Sequence, residues 1–332
     1  MRFVTYDAGA GPRVGMLAGD GDSVIDLAFG GDMVAFIEAG APLETTIPIQ
    51  GAARLLAPLR PRSLRDFLAF EGHMRNAFGQ LGREIPNEWY EVPAYYKGMP
   101  DTVIGPDEVV PWPAYSEELD HELELAAIIG TECKDVAPAE AGRVVFGYTI
   151  WNDLSARDVQ RREGAVGMGP GKAKDWDGSN VLGPCIVTAD AAGCIFGYTI
   201  WNDLSARDVQ ARELPVGMGP GKAKDWDGSN VLGPCIVTAD ELDPSGLAMR
   251  VSVNGELWGE DTSAHMHHTF ADMIAYVSRS QTLWPGEVLG SGTATGGSGL
   301  ELDRWLQPGD VVEMEIQGIG VLRNRIGQKG AA

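Results

Sequence analysis

Two glutamates, Glu122 and Glu124, interrupt the apolar run Leu119-Asp120-His121-Glu122-Leu123-Glu124-Leu125-Ala126-Ala127-Ile128-Ile129-Gly130. Residues two apart on a strand share a face, so both carboxylates point the same way. A third acid, Asp153, comes from Gly147-Tyr148-Thr149-Ile150-Trp151-Asn152-Asp153-Leu154-Ser155-Ala156-Arg157-Asp158-Val159-Gln160, with an arginine four residues later. The first half of that stretch is strand-like, and the second half can open a helix with Ser155 as N-cap. Asp153 then stands at a strand's end, on rigid scaffold at the rim of a sheet. Three converging carboxylates form an all-oxygen set suited to Mg²⁺, Mn²⁺ or Ca²⁺ rather than zinc. Without a cation they would repel one another and hold their protons more tightly. The pattern alone leaves a second reading open, with Glu122 and Glu124 on the wet face of an edge strand.

Two other constellations lead elsewhere. Gly169-Pro170-Gly171-Lys172 lacks the first glycine of a phosphate loop, and Ala173 replaces the hydroxyl residue that would hold magnesium, which excludes nucleotide binding by that route. His265-x-His267-His268 has no cysteine and no distant third histidine, so it reads as surface polar residues ahead of a helix rather than a transition-metal site.

The stretch around Asp153 occurs twice. Residues 146–190 and 196–240 differ only at Arg161/Ala211, Gly164/Leu214 and Ala165/Pro215. Two copies are too few for a solenoid. Glu124 precedes Asp153 by 29 residues and Asp203 by 79, so copy one keeps the short connection to the glutamate strand, while copy two runs directly on through Glu241-Leu242-Asp243, and which copy occupies the core stays open. One domain has room for one copy, and loop-closure entropy tolerates the other as a bulge. A hybrid using Asp153 with Lys224 stays open.

Around these stretches the chain divides into a small β-rich N-terminal domain, 1–60, and a larger one, 61–330. Strands are expected over Arg2–Tyr6, Arg13–Leu17 and Ser23–Asp26, and a helix near Asp32–Glu38. In Ser63–Asn76 the residues Phe67, Phe70 and Met74 fall at helical spacing. Residues 84–100 read as an irregular aromatic segment. Phe270–Val277 reads as an amphipathic helix, 290–299 as a glycine-rich loop and Val311–Ile316 as a closing strand.

A net charge of −21 argues against nucleic-acid partners and anionic membrane surfaces. Positive contacts to an anionic substrate must therefore be local. The four cysteines show neither zinc spacing nor a disulfide framework. With no apolar run long enough to span a bilayer and no signal-peptide pattern, a cytoplasmic protein is expected.

The combination Glu122-x-Glu124, then Tyr148-Thr149-Ile150-x-Asn152-Asp153-x-Ser155-Ala156-Arg157-Asp158-x-Gln160, then Lys174, then Ser291-Gly292-Thr293 resembles the fumarylacetoacetate hydrolase family. The resemblance runs from about Arg65 to Arg325. It implies an α+β fold, the family's mixed β-sandwich roll behind a small β-rich N-terminal domain, and a homodimer. It implies a divalent cation, Mg²⁺ first, with Glu122, Glu124 and Asp153 as ligands and Asp66 as a fourth acid; Asp66 reads equally as an N-terminal helix residue. His73 matches the family's general base. Some members orient it with a glutamate three residues later, but here that position is Asn76, and Glu71 is the nearest substitute. Arg157, Gln160 and Lys174 match positions that bind substrate and stabilise an oxyanion, and Thr293 matches one that binds a substrate carboxylate. Lys174 rather than Lys172 fits the family's Lys-x-aromatic pattern.

The activity so implied is hydrolytic carbon–carbon cleavage of a small anionic 1,3-diketo acid, of the acylpyruvate or fumarylacetoacetate type, with a place in aromatic catabolism. Isomerisation, hydration or decarboxylation of 2-oxo-alkenoic diacids would use the same cation. An inactive chain, its carboxylates kept apart by the duplication, is the reading from another class.

Overall fold

The computed structural model describes residues 1–18, 23–43, 47–49, 53–80, 82–165, 170–182, 185–188, 197–203, 230–238 and 246–329. The chain starts with β1 (Arg2–Asp7), β2 (Arg13–Leu17) and β3 (Val24–Asp26), followed by α1 (Met33–Glu38), β4 (Ile47–Pro48) and β5 (Arg54–Leu55). Asp32 caps α1 by accepting from the Ala35 N–H, as its sequence position predicts. Buried Asp26 ties the first three strands together: it accepts from Tyr6 and Arg13, and from the Ala28 N–H.

Next come β6 (Ser63–Phe67), α2 (Glu71–Gln80), α3 (Glu88–Glu91), β7 (Tyr95–Gly98), β8 (Val103–Ile104) and β9 (Val109–Trp112). Three of the sequence expectations are corrected here. Ser63–Phe67 is strand, with helix starting only at Glu71, so Phe67 and Met74 belong to different elements despite their spacing. Asp66 is therefore a strand residue, not a helix N-terminal acid. The aromatic segment is also more regular than expected, since it holds α3 and β7.

The central elements are β10 (Leu119–Asp120), β11 (Leu123–Ile129), α4 (Pro138–Ala141), β12 (Val145–Asp153), β13 (Ser155–Ala156), α5 (Arg157–Gly164), β14 (Asn180–Leu182) and β15 (Cys185–Thr188). Copy two contributes β16 (Gly197–Asp203) and β17 (Asn230–Thr238). Lys224 lies outside the described residues. The chain closes with β18 (Ala248–Val253), β19 (Glu256–Thr262), α6 (Phe270–Val277), β20 (Glu287–Gly290), α7 (Gly299–Leu302), β21 (Val311–Ile316) and β22 (Gly320–Lys329). A capping box formed by Thr269 and Asp272 starts α6 at the residue its periodicity indicates.

Fifteen of the described strands form one curled sheet, with central order β1-β15-β12-β16-β11-β20-β6-β7. A second sheet runs β19-β18-β21-β22-β9. This is a mixed α+β architecture with few helices, the fold class expected. Every residue of β11 is buried, including Glu124, which overturns the edge-strand reading. Complete burial of each leucine or isoleucine there stabilises the fold by about 1.5–3 kcal/mol, which offsets the cost of carrying acids through the same layer.

Both copies reach β11. Copy one pairs antiparallel along its length, from Leu123↔Asn152 to Ile129↔Val145. Copy two registers only over Leu123↔Asn202, Glu124↔Trp201 and Leu125↔Ile200.

Candidate metal centre and its basic partners

Four carboxylates from three stretches of the chain converge. Asp66 comes from β6, Glu122 from just ahead of β11, Glu124 from β11 and Asp153 from the end of β12; each offers an oxygen within 4.8 Å of the others, and all four are buried. Sheet pairing brings them together: β6 joins β20, β20 joins β11 and β11 joins β12. Burial pushes the Glu124 carboxyl well above the usual carboxylate range, and Asp66 and Glu122 beside it push it further. A buried all-oxygen cluster strained by mutual repulsion fits a hard divalent cation, which would relieve that repulsion.

Cationic side chains share the burial. Lys174 Nζ donates to Asp153 and lies 3.3 Å from Glu122 Oε2, with the Tyr96 ring 5.0 Å away. Burial pushes its pKa well down, against the pull of Asp66 and Asp120. Arg157 lies wholly inside: it donates to Glu122, to Gln160 Oε1 at 2.7 Å and to Asp120 Oδ2 at 3.1 Å. Arg157 opens α5, where Ala156 and not Ser155 occupies the N-cap position; Ser155 instead pairs with Asp120 across β13 and β10. That corrects the capping expectation.

His73 lies on α2, 5 % exposed, with Nδ1 3.1 Å from Glu301 Oε2. Glu301 accepts from Asn76 Nδ2 at 2.7 Å, Gly296 N at 3.0 Å and Ser298 Oγ at 3.1 Å. Burial raises the Glu301 pKa, but the His73 imidazole and these donors outweigh it, so Glu301 stays below the ordinary carboxylate range. The partner of His73 is thus Glu301 and not Glu71, which is engaged by Arg75 and Tyr90. Asn76 still takes part, from the far side of Glu301. Close packing of α2 needs Gly72, where a Cβ would stand 2.2 Å from Thr295 Oγ1.

Thr293 is buried in the loop after β20, next to Gly292, whose N–H donates to Glu124. The histidine trio does not form a site. His265 pairs with Asp261, while His267 and His268 face the carbonyls of Tyr90 and Trp89 and hold α3 in place. His268 is buried, contrary to the surface expectation. Lys172 is bonded to the Asp175 carbonyl.

The family model for fumarylacetoacetate hydrolase, C-terminal, matches residues 63–193 and 188–327, one match reaching through each copy of the repeat. The chain belongs to the fumarylacetoacetate hydrolase family. Its relatives include an oxaloacetate tautomerase, mitochondrial, of Rattus norvegicus, 29% identical over 351 residues, spanning 98% of this chain and 91% of the relative. Among solved structures, a fumarylacetoacetate hydrolase from psychrophilic Exiguobacterium antarcticum aligns with TM-score 0.71 at 24% identity, covering 99% of each chain. A 5-carboxymethyl-2-hydroxymuconate delta-isomerase from Mycobacterium smegmatis aligns with TM-score 0.68 at 25% identity, over 99% of this chain and all of that one (100%). The family is enzymatic and includes hydrolases, isomerases and tautomerases. Among the described residues no helix is long and apolar enough to cross a membrane.

Two residues of the site carried no sequence signal that singled them out. Glu301 follows a glycine-rich loop far along the chain from His73. Asp120 stands two residues before Glu122 in the run already noted, yet its partners are set only by the fold.

Proposed function

We propose that the chain hydrolyses a carbon–carbon bond in a small anionic 1,3-diketo acid of the acylpyruvate type. The observation carrying this reading is the buried His73–Glu301 pair, in a chain whose carboxylate cluster fits a divalent cation. Asp66, Glu122, Glu124 and Asp153 would hold Mg²⁺, or Mn²⁺ or Ca²⁺ in its place. A cation bound there supplies Lewis acidity toward the substrate's oxygens.

The chain's own groups do the rest. With Glu301 3.1 Å from Nδ1, His73 would carry its proton on that side and present Nε2 as the basic nitrogen. Nε2 takes a proton from water as its oxygen adds to the acyl carbonyl. Lys174, with Gln160, stabilises the oxyanion that forms. When the tetrahedral centre collapses, the carbon–carbon bond breaks and its electron pair leaves with the 2-oxo acid half as an enolate. The proton on His73 returns to that carbon, giving a carboxylic acid and pyruvate. Arg157 braces Glu122 and Gln160, and Thr293 contributes a hydroxyl to the substrate carboxylate.

A second reading is favoured by the rat relative, whose name is oxaloacetate tautomerase. Enol–keto exchange needs proton transfer at carbon without water addition, and His73 would serve it equally. One assay separates the two: the Mg²⁺-loaded protein is given an acylpyruvate and, separately, enol-oxaloacetate. Loss of the diketone ultraviolet absorbance with stoichiometric pyruvate, abolished in His73→Ala, is the result expected. Enol-oxaloacetate conversion with no pyruvate from any acylpyruvate would replace hydrolysis with tautomerisation.

A further inference from the structure

Asp120 is fully buried, one strand pairing away from Ser155, and its carboxylate makes four hydrogen bonds. Oδ1 accepts from Gly299 N at 2.9 Å and from His121 N at 2.9 Å. Oδ2 accepts from Leu300 N at 3.2 Å and from Arg157 Nε at 3.1 Å. The two partners on α7 are backbone N–H groups of its first turn, which the helix itself leaves unsatisfied. The next residue on that helix is Glu301, the partner of His73. The approach is close enough to dictate sequence, because a Cβ at Gly299 would stand 2.8 Å from Asp120 Oδ1 and 2.2 Å from the Arg304 carbonyl.

A buried carboxylate satisfied by four donors is costly to disturb. Here the donors belong to the two arms of the site. On one side Asp120 holds Arg157, which braces the metal-ligand candidate Glu122. On the other it holds the start of α7, which carries Glu301 to His73.

We infer that Asp120 is a positioning residue: anchored by Arg157, it sets α7 so that Glu301 holds the His73 imidazole at a fixed place relative to the carboxylate cluster. The inference rests on the assignment of His73 as the general base. It differs from a purely structural role, in which Asp120 would only tie down a loop and its loss would lower stability without acting through Glu301.

The test is Asp120→Asn, which keeps the shape and the bonds to one oxygen but turns an NH₂ toward N–H groups on the other. With histidine labelled in ¹⁵N, the Nδ1 signal of His73, assigned by its loss in His73→Gln, is expected to move in Asp120→Asn as it does in Glu301→Gln. Turnover of the acylpyruvate should fall by about 10- to 100-fold, the range for residues that orient a reactive group from behind. Combined with Glu301→Gln, it should fall little further, because the two substitutions break one linkage. A folded Asp120→Asn protein with a wild-type His73 signal overturns the inference, as do additive losses. If Asp120→Asn does not fold, Gly299→Ala, which pushes on the same contact from α7, is put through both measurements. The nuclear signal needs no turnover, so a wild-type protein inert toward acylpyruvates counts against the hydrolase reading, and the His73 signal still decides the role of Asp120.

Discussion

Copy one and copy two are almost the same sequence, yet they meet β11 differently. Copy one pairs along all of β11, from Leu123 to Ile129, and copy two only across Leu123–Leu125. Both strands end on an aspartate registered opposite an asparagine: Asp153↔Asn180 in one, Asp203↔Asn230 in the other. Identical residues are thus offered twice to the same three positions of one strand, whose other neighbour, β20, takes Ala126–Ile128. The longer ladder goes to the copy joined to β11 by the shorter connection, as loop-closure entropy favours. Local sequence gives both copies the same complement to β11, and the two ladders differ in length along it.

The sharpest way to break this comparison is to remove each aspartate in turn. Asp153→Ala should weaken Mn²⁺ binding by more than about 100-fold, since losses of outer partners alone reach 10- to 100-fold. Asp203→Ala should leave it unchanged. Calorimetric titration of both variants decides, and weak binding in the Asp203 variant would transfer the site to copy two. A smaller contrast is expected for the lysines. Lys174→Met should lower kcat by roughly 10²–10³, the scale for losing one oxyanion donor, and Lys224→Met should not. Because Lys174 sits on Asp153 and Glu122, its removal should not weaken Mn²⁺ binding. A parallel loss of metal and turnover would give the lysine a structural role instead.

Much of this was legible in the sequence because its signals are local. The alternation that put Glu122 and Glu124 on one face, and the spacing of 29 residues from Glu124 to Asp153, are one-dimensional facts that strand pairing preserves. Where the local signal misled, a boundary ran through it. Phe67 and Met74 keep helical spacing across a strand that ends at Phe67 and a helix that starts at Glu71. Ser155 has the chemistry of an N-cap, but pairing with Asp120 draws it into a strand. Glu301 was not legible at all. Only the folding of the loop after β20 against α2 brings it to His73, and nothing in spacing or periodicity encodes a contact between such distant segments.

The copies can also be compared through pH. Asp158 accepts from Ser116 Oγ at 2.6 Å and from Glu117 N at 3.2 Å, yet burial pushes its pKa up to about 8. A carboxyl raised in the folded state binds its proton more tightly there than in the unfolded chain. Its contribution to stability is therefore present below pH about 4 and is lost as pH rises towards 8. Asp158→Asn should remove that decline, so urea unfolding free energies of variant and wild type agree near pH 4 and differ by roughly 2 kcal/mol at pH 8.5, a value kept below the full shift for partial exposure. Asp208→Asn, the same change in copy two, should leave the slope as it is. Equal effects of the two would mean that the two aspartates share one environment.

The smallest contrast comes from one of the three positions where the copies differ. Arg161, on the last turn of α5, donates to Glu118, the residue ahead of β10; copy two has Ala211 in its place. The pair ties copy one to the strand that carries Asp120, but its side chains are 41% and 33% exposed. Water and salt therefore screen it, and exposed pairs of this kind contribute about 0.2–1 kcal/mol. Arg161→Ala should lower the urea stability by no more than about 1 kcal/mol, and the difference should shrink at high salt, with Mn²⁺ affinity unchanged. Ala211→Arg should add nothing, since Glu118 already has its partner. If Arg161→Ala alone reduced Mn²⁺ binding, the ion pair rather than the length of the β11 ladder would be what seats copy one at the site.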